Sequence, residues 1–119
     1  DYMFANPINI FSLAYPEKSS NWTNRFQMFA TENMWTFILL DSYNGRLWQV
    51  QYSTQDLDNL FCIPINKYEL VENNERCIFS IQPLTSMYQY YLINDNTGDM
   101  WKFQWSTKGD DYRWIERFR

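Results

Sequence analysis

A chain of 119 residues with a formal net charge of −4, 20 % aromatic side chains, three glycines and no histidine is bounded before any motif is sought. The length suits one domain that buries a core without disulfides or metal. Interspersed acids and bases leave no basic stripe of the kind that grips nucleic acid, and the lack of histidine removes the commonest general base and metal ligand.

The first two dozen residues, Asp1–Asn24, carry Pro7, Pro16 and the polar cluster Glu17–Asn24, and no period of 2 or 3.6 runs through them. They read as an irregular arm whose aromatics, Tyr2, Phe4, Phe11 and Tyr15, pack along the rest of the chain; so many apolar residues argue against disorder. The start at Asp1 in place of Met suggests either that a preceding segment was removed or that the sequence was trimmed. Asp1–Ala14 lacks the charged end and long apolar stretch of a signal peptide. Asn21–Trp22–Thr23 matches a glycosylation acceptor, which has meaning only in a secretory pathway. The compartment stays open, with a lean to the outside of the cytoplasm. No apolar run approaches the roughly 18 residues of a membrane-crossing helix, so no membrane partner is expected.

From Asn24 onward the chain repeats itself at an offset of 53 residues. Asn24–Asn66 laid over Cys77–Arg119 needs no gap and gives nine identities in 43 pairs, among them Met34/Met87, Leu39/Leu92, Gly45/Gly98, Trp48/Trp101 and Gln51/Gln104. A repeat is a statement about architecture, because each unit buries its apolar face on a neighbour. The units are residues 25–66 and 77–119, joined by the polar loop Asn66–Glu75.

Each unit resolves into four short strands. Strand a is Arg25–Ala30 and Ile78–Pro83; strand b is Trp35–Asp41 and Tyr88–Asn94. The first copy of b is apolar on both parities, as a central strand covered on both faces requires. The b–c turn places Gly45 and Gly98 at one repeat position, where a tight hairpin needs φ > 0. Asp41 and Asn94 can close it by bonding amides two residues on. Strand c alternates Trp48, Val50, Tyr52 against Leu47, Gln49, Gln51, and its copy Trp101, Phe103, Trp105 against Met100, Lys102, Gln104. One apolar parity predicts a half-covered antiparallel strand with the tryptophan side inward. Strand d is Leu60–Ile65, with Pro64 marking a sheet edge. Its copy is Tyr112–Phe118, where Trp114, Ile115 and Phe118 also fit a terminal helix. The prediction is an all-β domain: two tandem four-stranded antiparallel meanders, closed face to face as a sandwich or a compact blade pair.

Asp41…Gly45…Trp48 and Asn94…Thr97–Gly98…Trp101 resemble the acidic residue, Thr-Gly turn and tryptophan of quinoprotein-type β-propeller blades. The strings Asn33–Met34–Trp35–Thr36–Phe37 and Gly45–Arg46–Leu47–Trp48–Gln49–Val50–Gln51 also look like small uncharacterised bacterial proteins with the same tandem unit. The first resemblance implies a blade-like fold; neither implies an activity.

Chemistry-bearing constellations are sparse. Nucleophiles lack their usual base, and the acids Asp41, Asp95, Asp99, Asp110 and Asp111 fall in turns and loops, away from any paired-carboxylate arrangement. Asn94, Asp95, Asn96 and Asp99 could offer oxygens to calcium, although a plain hairpin explains them. Cys62 and Cys77 read as two free thiols or one mutual disulfide. No catalysis, metal or cofactor is expected. Arg113, Arg117 and Arg119 share one strand parity and could form a small basic ridge. More ring surface exists than one core needs, and Tyr43, Tyr88, Tyr90 and Tyr91 are the candidates for an exposed recognition patch. The function that follows is a non-catalytic binding module engaging a protein or a second copy of itself. A glycan or nucleotide on an aromatic platform and a structural or assembly subunit are the alternatives.

Overall fold

The computed structural model describes residues 24–52, 60–71 and 78–119. The N-terminal arm, residues 53–59 and residues 72–77, Cys77 among them, lie outside the described residues. Eight strands follow in order: β1 (Phe26–Ala30), β2 (Thr36–Asp41), β3 (Arg46–Gln51), β4 (Phe61–Asn66), β5 (Phe79–Pro83), β6 (Gln89–Asn94), β7 (Met100–Gln104) and β8 (Trp114–Arg117). A three-residue 3-10 turn, Asp110–Tyr112, precedes β8, so the terminal segment that also fitted a helix ends as a strand. The strands make two four-stranded antiparallel meanders, ordered β1-β2-β3-β4 and β5-β6-β7-β8.

Strand pairing repeats residue for residue. Phe26 faces Asp41 as Phe79 faces Asn94; Leu39 faces Trp48 as Leu92 faces Trp101; Val50 faces Cys62 as Phe103 faces Ile115. Each pair is displaced by the 53-residue offset, so the repeat is one of register as well as composition. A bulge between Leu47 and Trp48, where β3 meets β4, is a local departure in the first unit. Pro64 lies on β4, an edge strand, where its missing N–H costs no ladder bond.

The duplicated turn is built as its residues predict. Gly45 and Gly98 have φ of 84° and 79°, and each donates its N–H to the carbonyl four residues back, on Asp41 at 2.9 Å and on Asn94 at 2.7 Å. The Asp41 and Asn94 side chains accept the amides of Tyr43 and Asn96 at 3.1 and 2.9 Å. Asp41, 1 % exposed, also receives both arms of the Arg25 guanidinium at 2.9 and 3.0 Å.

The propeller-blade resemblance does not survive the structure. The unit is a real four-stranded meander, but neither sheet is closed or curled like a blade. The turn-and-tryptophan motif encodes a hairpin with a ring at the start of its second strand, which any antiparallel meander can use.

The packing of the units departs from the expected symmetry. Each meander has two faces, and the register assigns residues to them. The core joins Ile38, Leu40, Leu47 and Ile65 of the first unit to Ile78, Phe79, Tyr90, Leu92, Trp101, Phe103 and Trp105 of the second. Ile38, Leu40 and Leu47 lie on the first unit's Gln49 side, whereas Leu92 and Trp101 lie on the second unit's tryptophan side. The sheets therefore stack front to back: one face of the first unit meets the opposite face of the second. The expectation that Trp48 points into the shared core fails here. Aliphatic Ile38, Leu40 and Leu47 offer a smoother surface for the aromatic face of unit two than a second set of large rings would. Trp48 and Leu39 are buried, 4 and 3 % exposed, on the outer face.

Candidate functional site

Front-to-back stacking buries the tryptophan face in the second unit and leaves its first-unit copy turned away from the shared core. The consequence shows at the end of the sheet where β2 begins and β3 ends. Trp105 of unit two is fully buried, and its indole N–H donates to the Met87 carbonyl at 3.0 Å. The corresponding residues of unit one, Tyr52 and Met34, are 36 and 66 % exposed. Trp35, Leu60 and Phe61 beside them are also exposed. The Tyr52 amide bonds the Trp35 carbonyl at 3.0 Å, and their rings meet edge-on at 5.3 Å. Phe37 stacks on the other side of Tyr52 at 6.1 Å. Because Gln51 pairs with Phe61, Leu60 stands next to Tyr52 in the same register. The result is an apolar end patch of Met34, Trp35, Tyr52, Leu60 and Phe61. Alternation could not have found it, since two members lie in turns beyond the strands; apolar residues at strand ends were the only sequence signal.

The four tyrosines proposed as a recognition patch do not come together. Tyr43 sits in the β2–β3 turn with the Arg25 guanidinium 4.7 Å above its ring. Tyr90 is a core residue, 5 % exposed and stacked on Phe103 at 5.4 Å. Burial, and secondarily the charge of Glu32, raises its hydroxyl pKa. Tyr91 points from the opposite face of the same strand and meets Phe118 edge-on at 5.6 Å. Tyr88 alone combines exposure with a concave setting. Its ring lies 4.7 Å from that of Trp105, in a shallow cleft shared with Ser86, Gln104, Thr107, Lys108 and Tyr112. Tyr112 is half exposed, and the Lys108 ammonium lies 5.5 Å from its ring centre.

The three C-terminal arginines make no ridge. Arg119 is exposed. Arg117 pairs with Asp99 at 2.9 Å and lies over Trp101. Arg113 turns inward, with only 8 % of its side chain exposed. Its Nε donates to Oε1 of fully buried Gln49 at 2.8 Å, one terminal nitrogen donates to the Ser106 carbonyl at 3.1 Å, and the other meets exposed Asp110 at 2.8 Å. Gln49 completes the clasp by donating to the Ser106 carbonyl at 2.9 Å and accepting the Ser106 amide at 3.2 Å. A glutamine on the polar parity of β3 thus locks the units together, a role that only the stacking direction reveals.

The oxygens considered for calcium have other duties. Asn94 accepts the amides of Asn96 and Thr97, Asp95 accepts the Ser80 hydroxyl at 3.0 Å, and Asp99 holds Arg117. Among the described residues no three Cys, Asp or Glu side chains gather as a metal site, and no helix is long and apolar enough to cross a membrane. Cys62 carries a free thiol on β4, and burial pushes its pKa up to about 12. That suppresses the thiolate and with it nucleophilic reactivity.

Comparison with known proteins supplies no relative, and the likeness to small bacterial tandem-unit proteins finds no support beside that to propeller blades: no protein-family model, curated protein or solved structure matches this chain.

Proposed function

We propose that this protein is a non-catalytic interaction module that engages a protein partner through the apolar end of its first sheet. The supporting observation is the end patch of Met34, Trp35, Tyr52, Leu60 and Phe61: in unit two the counterpart of Tyr52, Trp105, is fully buried and that of Met34, Met87, packs partly buried against the core. Large rings and methionine are the side chains enriched where interfaces carry their energy. Burying one such side chain contributes about 1.5–3 kcal/mol. The partner that fits offers what unit one offers to unit two, an aliphatic sheet face or an extended apolar segment. The test is affinity capture with the immobilised full chain, followed by rebinding of the purified captured protein to wild type and to Met34→Asp and Leu60→Asp. Binding lost in both variants, with unchanged circular dichroism, is the expected result. Equal binding by all three overturns the patch. Stable self-association in light scattering, abolished by the same variants, favours an assembly subunit.

A second reading rests on the cleft around Tyr88 and Tyr112, where two exposed rings, Lys108 and the hydroxyls of Ser86 and Thr107 suit a glycan or nucleotide laid flat. Titration of tryptophan fluorescence with saccharides and nucleotides checks it, because Trp105 lies against Tyr88. A saturable change lost in Tyr112→Ala supports this reading, and an unaltered spectrum across the panel ends it.

A further inference from the structure

Among the described strands β1, β4, β5 and β8 each have one side without a neighbour. Such edges pair with other chains unless something prevents it. Every second residue of an antiparallel strand turns its N–H and C=O to the same side, so the hydrogen bonds show which residues face outward. The Asp95 amide bonds the Ile78 carbonyl, which leaves Phe79, Ile81 and Pro83 outward on β5. Pro83 has no N–H to offer, and the Phe79 N–H is taken by the Ser42 carbonyl at 3.0 Å. The Tyr52 amide bonds Trp35, so Gln49 and Gln51 turn to β4 and leave Cys62 and Pro64 outward; Pro64 again lacks the donor. The Phe118 amide bonds Met100, which leaves Ile115 and Arg117 outward on β8, a strand charged by Glu116 and Arg117. β1 has no such guard. The Ser42 amide bonds the Arg25 carbonyl at 2.8 Å, which turns Phe26, Met28 and Ala30 outward. All three keep both main-chain groups, no residue of Phe26–Ala30 is charged, and Met28 is 45 % exposed.

We infer that β1 pairs antiparallel with β1 of a second copy about a two-fold axis at Met28, joining two four-stranded sheets edge to edge. In this register Met28 faces its own copy, and Phe26 faces Ala30, so a large side chain meets a small one. Gln27 faces Phe29 on the other side of the sheet. The outward groups of residues 26, 28 and 30 then make about six main-chain hydrogen bonds, two for each pair of facing residues. A second copy is the occupant because the segment complements itself in charge as well as size. The strand is neutral, and Arg25, whose side chain is 35 % exposed, comes beside Thr31 and exposed Glu32 of the other copy. Met28 shares its face with Leu39 and Trp48, so the apolar outer faces of the two copies continue into each other. The assembly closes at two copies, since both ends of the joined sheet are then β4, with Pro64 outward. So small a contact associates weakly, at high protein concentration.

Sedimentation velocity of the full chain is the test. Wild type should pass from monomer to dimer as its concentration approaches about 1 mM. Met28→Pro gives β1 the guard that β4 and β5 have, and should raise the dissociation constant at least about tenfold by removing two of the bonds. Met28→Lys sets like charges face to face and should do the same, which covers the case that proline disturbs the fold. Met34→Asp and Leu60→Asp should dimerise as wild type does, so the edge and the interaction patch stand or fall separately. A disulfide reads the register. In a Cys62→Ser, Cys77→Ser background, Met28→Cys should link two copies, because facing Cα atoms lie about 5.5 Å apart. Ala30→Cys is on the same face but should not link, its two copies being more than about 10 Å apart along the strands. The inference is overturned by a wild type that stays monomeric at about 1 mM, by a dimer that Met28→Pro and Met28→Lys both retain, or by equal linking at positions 28 and 30.

Discussion

Gly45 and Gly98 occupy one repeat position and one backbone conformation, yet they should not tolerate alanine equally. A Cβ on Gly45 would meet Leu70 Cδ1 at 2.8 Å and Phe79 at 3.1 Å, whereas one on Gly98 meets nothing within 4 Å. Both pay the left-handed penalty of about 1–2 kcal/mol. Gly45→Ala should cost about 1–2 kcal/mol more than Gly98→Ala in urea denaturation, because Leu70 must also move. Arg113 and Asp110 offer a second contrast at this scale. Arg113→Ala removes charge-assisted bonds to Gln49 and Ser106 at the unit boundary and should cost about 2–3 kcal/mol. Asp110→Asn removes an exposed partner and should cost well under about 1 kcal/mol. Equal costs would show that the surface ion pair, and not the buried clasp, does the holding. Tyr90 and Arg113 also show what residue type cannot reveal: a tyrosine and an arginine named as surface candidates are inward-facing because of what their neighbours in the other unit require.

At the scale of the element, β2, β3, β6 and β7 are each paired on both sides, whereas β1, β4, β5 and β8 are edges. Amide exchange should be slowest in the four central strands and faster in the edges; uniform protection would contradict the open-sheet topology. Cys62 reports on β4 in another way. Its thiol pKa is raised by burial to about 12, above the unfolded value. The neutral thiol therefore contributes its full stability below roughly pH 8.5, and that contribution is lost as pH rises towards 12. The stability gap between wild type and Cys62→Ala should narrow between pH 8 and pH 10.5, about the range where an unfolded thiol ionises. A gap that stays constant would mean the folded thiol is not shielded.

For the whole molecule, front-to-back stacking makes the second unit depend on the first, since its aromatic face is closed by Ile38, Leu40 and Leu47. Leu40→Ala and Leu92→Ala, both at fully buried positions of the shared core, should each cost about 2–5 kcal/mol. Both should leave unfolding a single transition, with tryptophan fluorescence and far-ultraviolet circular dichroism coincident. Two separable transitions would show that each sheet is stable by itself. Stacking of this kind is also heterologous, so one outer face must differ from the other if the molecule is not to grow into a filament. The outer face of unit two does differ, setting Ser80, Gln82, Gln89, Lys102, Gln104 and Glu116 among Tyr91, Ile93, Met100 and Trp114.

The sequence by itself determined the eight strands, their pairing and the turn at Gly45 and Gly98. These follow from period-two alternation and from backbone chemistry acting over a few residues, and the 53-residue repeat transfers each deduction from one unit to the other. The propeller likeness failed because a hairpin motif is equally local and carries no information on sheet curvature. Which face of each sheet turns inward was decided only by the tertiary structure. Leu39 and Leu40, or Trp48 and Leu47, are both apolar enough to be buried, so parity alone leaves two solutions. Contact between the units selected opposite faces. That selection placed Gln49 and Arg113 in a buried clasp and Trp105 in the core. It also left Trp35, Tyr52 and Leu60 at the surface, where a partner can reach them.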